Sequence, residues 1–256
     1  MSIVRFDHAV LLANEEPRAR EFYVEYIGAN VEKTFVRNRE GRELHRSFLG
    51  LAEGQGVGLF EDKTAVPPPR TTREWPAVVF QVSQERYDKA LKDLDGEVHE
   101  MALPGVDATF YTHDTEGNAI GFSSSGNGDD SLLLRFEVDA PRLEEAVSFY
   151  GDIFALGTPE SGLLPGGLPY AWFRPADRRQ GLLAVEHPDA PGANPGQHFA
   201  FLVGRADHTE LKPQLEARGG KEVPGHEGER PDGEISTYMR DPWQRKLQWI
   251  THADTP

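Results

Sequence analysis

Apolar positions along this chain switch between two periods in a regular order. "VRFDHAVLLA" (4–13) reads as a strand, and Ala19, Phe22, Tyr23 and Tyr26 then follow the i, i+3, i+4, i+7 spacing of a buried helical stripe. A proline suits a first helical turn, so the helix is expected to begin near Pro17. Three strand-like stretches come next, "VEKTFVRN", "LHRSFLGL" and "GVGLFE". The order then restarts with "PAVVFQV", a helix bearing Tyr87, Ala90, Leu91 and Leu94, and the strands "EVHEMAL", "ATFYTHD" and "NAIGFSS". The second half repeats the plan, its first helix carrying Leu143, Ala146, Val147 and Tyr150. Its second helix, "ELKPQLEARGG", is predicted to start near Glu210, which puts Pro213 in a tolerable position, and to stop at Gly219 or Gly220. Four βαβββ units follow, and runs of short strands with one helix per unit predict an α+β fold of mostly antiparallel sheets.

The halves are copies. One offset of 127 residues relates His8 to Arg135, Phe22 to Phe149, Tyr23 to Tyr150 and Asp114 to Asp241, whereas "AVVFQV" and "HFAFLV" are 121 apart. The expected division is a first domain over 1–124 (units 1–62 and 75–124), a polar, Gly-rich linker over 125–131, and a second domain over 132–253 (units 132–188 and 196–253). The proline-rich stretch 64–75 is expected to be a rigid extended connector.

Composition narrows the chemistry. The chain has 256 residues and no cysteine, which excludes disulfides and thiolate metal sites. A formal charge of −15 argues against nucleic acid or an anionic membrane as partner. No apolar run reaches the length of a membrane span and the N-terminus lacks the pattern of a signal peptide, so a cytoplasmic protein is expected, as monomer or homodimer. "GLAEGQGVG" lacks the Lys and following helix of a phosphate loop, so no nucleotide cofactor is expected, and no nucleophile elbow appears.

The motifs "DHAVLLA…FYVEYIGA", "DTEGNAIGF" with its partner "DPWQRKLQW", and "HFAFLV" resemble those of the vicinal oxygen chelate superfamily, which includes glyoxalase I, extradiol dioxygenases and bleomycin-resistance proteins. The resemblance implies two tandem domains whose units curve around cavities, with ligand positions at His8, Gly58, Ala77 and Gly121 in the first and Arg135, Leu183, His198 and Gln248 in the second. Glycine and alanine offer no donor and a guanidinium has no lone pair to give, so neither set holds a metal alone. If the domains exchange units, as glyoxalase-type proteins do, His8, His198 and Gln248 meet in one cavity, and the complementary cavity has no ligand set. Two imidazoles and an oxygen would suit one divalent metal (Fe, Mn, Ni or Zn). The resemblance then implies a lyase- or extradiol-dioxygenase-type site for a small oxygen-rich or aromatic molecule. The alternative is a metal-free protein that binds or sequesters small, drug-like molecules.

Each candidate also has a plainer reading. His8 and His198 share strand faces with apolar residues and could be core histidines, while Gln248 could bond substrate or backbone. Arg135 could clamp a substrate anion or form an internal ion pair with Glu137 or Asp139. Tyr111 and Tyr238, at matching positions on penultimate strands, could bind substrate or pack, as could Phe60 and Trp249. Glu61 and Glu186 fall at odd spacing from Gly58 and Leu183, and are expected on the other face, solvated.

Overall fold

A computed structural model describes residues 3–39, 41–64, 77–100, 108–124, 130–151, 159–164, 166–174, 180–187, 197–223, 228–229 and 233–252. The first unit comprises β1 (Ile3–Ala13), α1 (Glu16–Phe22), β2 (Asn30–Arg39), β3 (Arg42–Gly50) and β4 (Gly56–Glu61). The second comprises β5 (Ala77–Val82), α2 (Gln84–Asp93), β6 (Gly96–His99), β7 (Thr109–His113) and β8 (Ala119–Ser124). In the third are β9 (Leu132–Ala140), α3 (Leu143–Ala146), β10 (Glu160–Leu163), β11 (Pro169–Phe173) and β12 (Gly181–Glu186). The fourth has β13 (His198–Val203), α4 (Arg205–Ala217), the two-residue strands β14 (Lys221–Glu222) and β15 (Gly228–Glu229), β16 (Ile235–Arg240) and β17 (Lys246–Thr251). The connector over 65–75 and linker residues 125–129 lie outside the described residues.

The helix starts need one correction. Pro17 does open α1, but α4 begins at Arg205 rather than near Glu210, which leaves Pro213 inside the helix. Leu211 and Leu215 are fully buried there, and that packing offsets the backbone bond that a proline cannot donate. Gly219 ends the helix at a φ of 89°, a conformation that favours glycine.

Each sheet takes one unit from each half of the chain. The first sheet has the order β14-β16-β17-β13-β1-β4-β3-β2, with β15 also on β16, and so joins the first unit to the fourth. The second has the order β10-β11-β12-β9-β5-β8-β7-β6 and joins the third unit to the second. The seams are antiparallel: β1 on β13 and β9 on β5. This is the exchanged pairing that would gather His8, His198 and Gln248.

Alternation along the strands gives every sheet a helix-side face and an open face. Ala9, Leu11 and Ala13 of β1 join the main core with Phe22, Tyr23 and Ile27, so His8, Val10 and Leu12 look the other way. Aromatic rings stitch the sheets together on the helix side: Phe6 lies 4.6 Å from Phe136, and Phe136 4.8 Å from Phe199, between ring centres. Two matching hooks add polar ties. Tyr23 donates to Asp114 (2.9 Å) and Tyr150 to Asp241 (2.7 Å). Asn118 then donates to the Leu12 carbonyl at 3.0 Å, and Arg245 donates to the Asp139 carbonyl and carboxylate. Tyr150, Asp241, Arg245 and Asp139 stand 127 positions after Tyr23, Asp114, Asn118 and Leu12.

Candidate metal centre

Strand register brings three donors to one spot on the open face of the first sheet. His8 of β1 pairs with Ala200 of β13, and Ala200 with Gln248 of β17. His198 lies two residues before Ala200, hence on the same face. Gln248 Oε1 stands 3.1 Å from His8 Nε2 and 3.1 Å from His198 Nε2. The two rings are 5.8 Å apart, edge to face. Among the described residues no group of three or more His, Cys, Asp or Glu forms a metal site, since the third donor here is an amide.

A bulge aims the first imidazole. Between Phe6 and His8, β1 advances two residues while β13 advances one, so Asp7 is the extra residue. Its carboxylate lies 2.7 Å from His8 Nδ1 and 3.1 Å from His252 Nε2. Burial opposes its charge, but the bonds from His252 and His8 outweigh burial and hold the carboxyl well below the usual carboxylate range. Ionised Asp7 has no proton to give, so His8 Nδ1 is the donor. A neutral His8 then presents a lone pair at Nε2 towards the amide oxygen of Gln248, whose Nε2 donates to Ser236 Oγ at 3.2 Å. In that tautomer two acceptors face each other at 3.1 Å, an arrangement that a cation between them would satisfy. Ligands about 2.0–2.1 Å from one ion are separated by about 2.9–3.4 Å, which brackets the observed spacing to Gln248. The donor set therefore fits a divalent metal.

Around the donors this face carries aromatic and basic side chains, and also Glu234, which accepts from Ser236 at 2.9 Å. A Cβ on Gly58 would come within 2.9 Å of Val10 and 3.6 Å of Phe48, so these three share the face. Phe60 stands beside them with the Arg46 guanidinium 4.3 Å above its ring. Tyr238 lies 5.5 Å from the His198 ring, and the Lys246 ammonium sits 4.4 Å over Tyr238. Burial first, then the charges of Arg240 and Arg46, push Lys246 down to about 8.

The second sheet presents a different set at matching positions. Arg135 occupies the place of His8, and Ala77 and Gly121 occupy those of His198 and Gln248. Arg135 is fully buried, bonds Glu137 at 2.6 Å through Nε, and gives its Nη2 to Thr109 (2.9 Å) and Tyr111 (3.1 Å). Tyr111 also donates to Glu137 at 2.5 Å. The same bulge recurs between Val79 and Phe80, where the extra residue is Leu134 instead of Asp7.

Of the residues singled out from sequence, His8, His198, Gln248, Tyr238 and Phe60 share one open face. Arg135 and Tyr111 lie together on the other sheet, in an internal ion-pair network. Trp249 requires correction as a binding residue. It is one residue out of step with Gln248, points to the helix side, is fully buried, and donates its indole N–H to the His208 carbonyl. Glu61 is also not solvated: it is buried, accepts the His45 N–H at 2.7 Å and pairs with Lys63. Sequence reading missed Asp7, Arg46 and Lys246. Period-two spacing from Phe48 and Gln248 marks Arg46 and Lys246, whereas a bulge leaves no such signal.

No family model matches the sequence, and comparison with curated proteins finds no match. Solved structures do resemble it. Glyoxalase I from Zea mays aligns over 96% of this chain and 92% of its own, with a TM-score of 0.71 at 14% identity. A putative dioxygenase from Bacillus subtilis subsp. subtilis str. 168 aligns over 99% and 87%, with a TM-score of 0.72 at 12% identity. With its four units in this order and its sheets joined across the halves, the chain has the tandem vicinal oxygen chelate fold.

Proposed function

We propose that this protein holds one divalent metal ion (Fe, Mn, Ni or Zn) on His8, His198 and Gln248, and with it binds a small oxygen-rich or aromatic molecule. The observation that carries the reading is the convergence of both imidazole Nε2 atoms on Gln248 Oε1, each at 3.1 Å. An ion held there would act as a Lewis acid on two adjacent oxygens of the bound molecule, in lyase- or extradiol-dioxygenase-type chemistry. That glyoxalase I and a putative dioxygenase share the fold is consistent with either.

Around the donors the chain does several things. Asp7 fixes the tautomer and orientation of His8, and Ser236 anchors the Gln248 amide so that its oxygen faces the imidazoles. Gly58, at the remaining family position, offers no donor, and Val10, Phe48 and Phe60 pack where its side chain would stand. Phe60 and Tyr238 offer ring surface to an aromatic or apolar portion of it.

The second reading is a metal-free binding protein, favoured by one fact: the third donor is a neutral amide, weaker than a carboxylate. Metal-depleted protein is titrated with Fe(II), Mn(II), Ni(II) and Zn(II), beside His8→Ala, His198→Ala and Gln248→Ala. One equivalent in the parent, lost in both histidine variants, is the expected result. Absence of binding, or binding indifferent to both histidines, overturns the metal reading in favour of the metal-free one.

A further inference from the structure

A cavity of about 50 Å³ lies where the seams of the two sheets meet. Its described lining comes from both halves of the chain in matching pairs: Val10 with Glu137 and Asn118 with Arg245 at the 127-residue offset, Ala77 with His198 at the offset of 121. The cavity therefore sits on the axis that relates the halves. One wall belongs to the β1–β13 seam and the other to the β5–β9 seam. Repetition alone would make the walls equal, yet Val10 of one half corresponds to a carboxylate in the other.

Two buried polar atoms on this lining lack hydrogen-bond partners among the described residues. Glu137 is fully buried; its Oε1 is taken by Arg135 and Tyr111, while Oε2 accepts nothing. Arg245 spends Nη1 on Asp241 and Nη2 on Asp139, and its Nε donates to nothing. Buried groups left unmet cost free energy that a bound partner returns. Charge is already compensated here, because Arg135 offsets Glu137 and the two aspartates offset Arg245. Lys246 also borders the cavity, but its ammonium lies 4.4 Å over the Tyr238 ring, on the side of β17 away from β13. Its apolar stem is therefore what faces the space. Ala119, Phe136 and Phe199 complete an apolar surround.

We propose that this axial cavity binds a small neutral molecule, an alcohol or primary amide, whose hydroxyl or N–H donates to Glu137 Oε2 and whose oxygen accepts from Arg245 Nε. At about 10–15 Å³ for each water-sized sphere, the space admits roughly three to five non-hydrogen atoms, enough for a short apolar body beside the polar end. The site shares the His198 wall with the candidate metal centre. It does not rest on the metal reading, because neither Glu137 nor Arg245 belongs to that donor set.

The test is titration of the metal-free full chain, kept in chelator, followed by NMR of labelled alanine and valine methyl groups. Butan-1-ol and butyramide should shift the Ala77 and Ala119 methyl signals saturably. Diethyl ether, an isomer of butan-1-ol with no donor, should bind about tenfold or more weakly. Butyrate and butylammonium should each bind less tightly than the neutral pair, since neither charge finds an uncompensated partner. Glu137→Gln keeps the shape but turns an amide N–H to the cavity, so the preference for butan-1-ol over its isomer should vanish. Ala119→Leu fills the space and should abolish binding, whereas Lys89→Met, on α2, should match the parent. Should Glu137→Gln fail to fold, the isomer ratio in the parent and the Ala119→Leu result decide. Absence of saturable shifts with both neutral probes leaves the cavity to water and overturns the proposal. Equal binding of the two isomers, tighter binding of either ion, or binding undiminished in Ala119→Leu overturns it too. Since no metal is present, this outcome is separate from that of the metal titration.

Discussion

Asp7 Oδ2 lies 2.7 Å from His8 Nδ1, on a residue that the strand ladder leaves out of register. That bulge lets two neighbours on one strand act together, one as donor and the other as its orienting partner. Asp7→Asn keeps the size but removes the charge that fixes the tautomer. Metal affinity should fall about 10–100-fold while the fold is retained, measured by competition with a chromophoric chelator. Unchanged affinity would mean that the carboxylate serves His252 alone.

Gln248→Glu should act in the opposite direction. A carboxylate oxygen in place of the amide would compensate the ion's charge, and divalent affinity should rise about tenfold or more by the same measurement. Loss of metal binding in this variant would show that the amide's bond to Ser236 matters more than donor charge.

In the second sheet the ion pair is expected to be structural. Arg135→Met strands the Glu137 carboxylate in a fully buried place and should destabilise by about 3–5 kcal/mol in urea unfolding. The double variant Arg135→Met, Glu137→Leu should recover part of that loss. Metal affinity of the folded fraction should not move, because these residues lie on the other sheet.

The two hooks between units make a matched pair. Tyr23→Phe and Tyr150→Phe each remove a buried hydroxyl bond to an aspartate and should each cost about 1–2 kcal/mol. Their hydroxyls bond different aspartates, so the double variant should show the sum to within about 0.5 kcal/mol.

His252 gives a pH signature. Its bond to Asp7 raises its pKa above the ordinary value of 6.5. A base with a raised folded-state pKa adds stability that is fully present below its unfolded pKa and lost as pH rises through the folded one. The gap in urea midpoint between parent and His252→Gln should therefore be wider in mildly acidic buffer than in alkaline buffer. Being half-exposed, the pair should contribute modestly.

The fold was legible because its units repeat. The 127-residue offset, the alternation of β1 and the helical stripe beneath Phe22 and Tyr23 each carry through to the structure. Which donors could meet was also legible, since only the exchanged pairing brings His8 to His198. The orienting carboxylate was not, because Asp7 sits where β1 and β13 fall out of step and period-two reasoning fails. Trp249 was misread for a related reason: a ring beside Gln248 in sequence lies behind it in a strand. Pro213 misplaced the start of α4 because packing of Leu211 and Leu215 overrides a local breaker.

Joining the first unit to the fourth has a consequence for biosynthesis. His8 is made 240 residues before Gln248, yet they are neighbours in space. Until β13 and β17 have left the ribosome, β1 lacks one of its two partner strands, and the donors cannot assemble. Two separately expressed halves, divided in the 125–131 segment, would each hold an incomplete donor set. Metal binding should appear only when they are mixed, which makes the ion a reporter of reassembly.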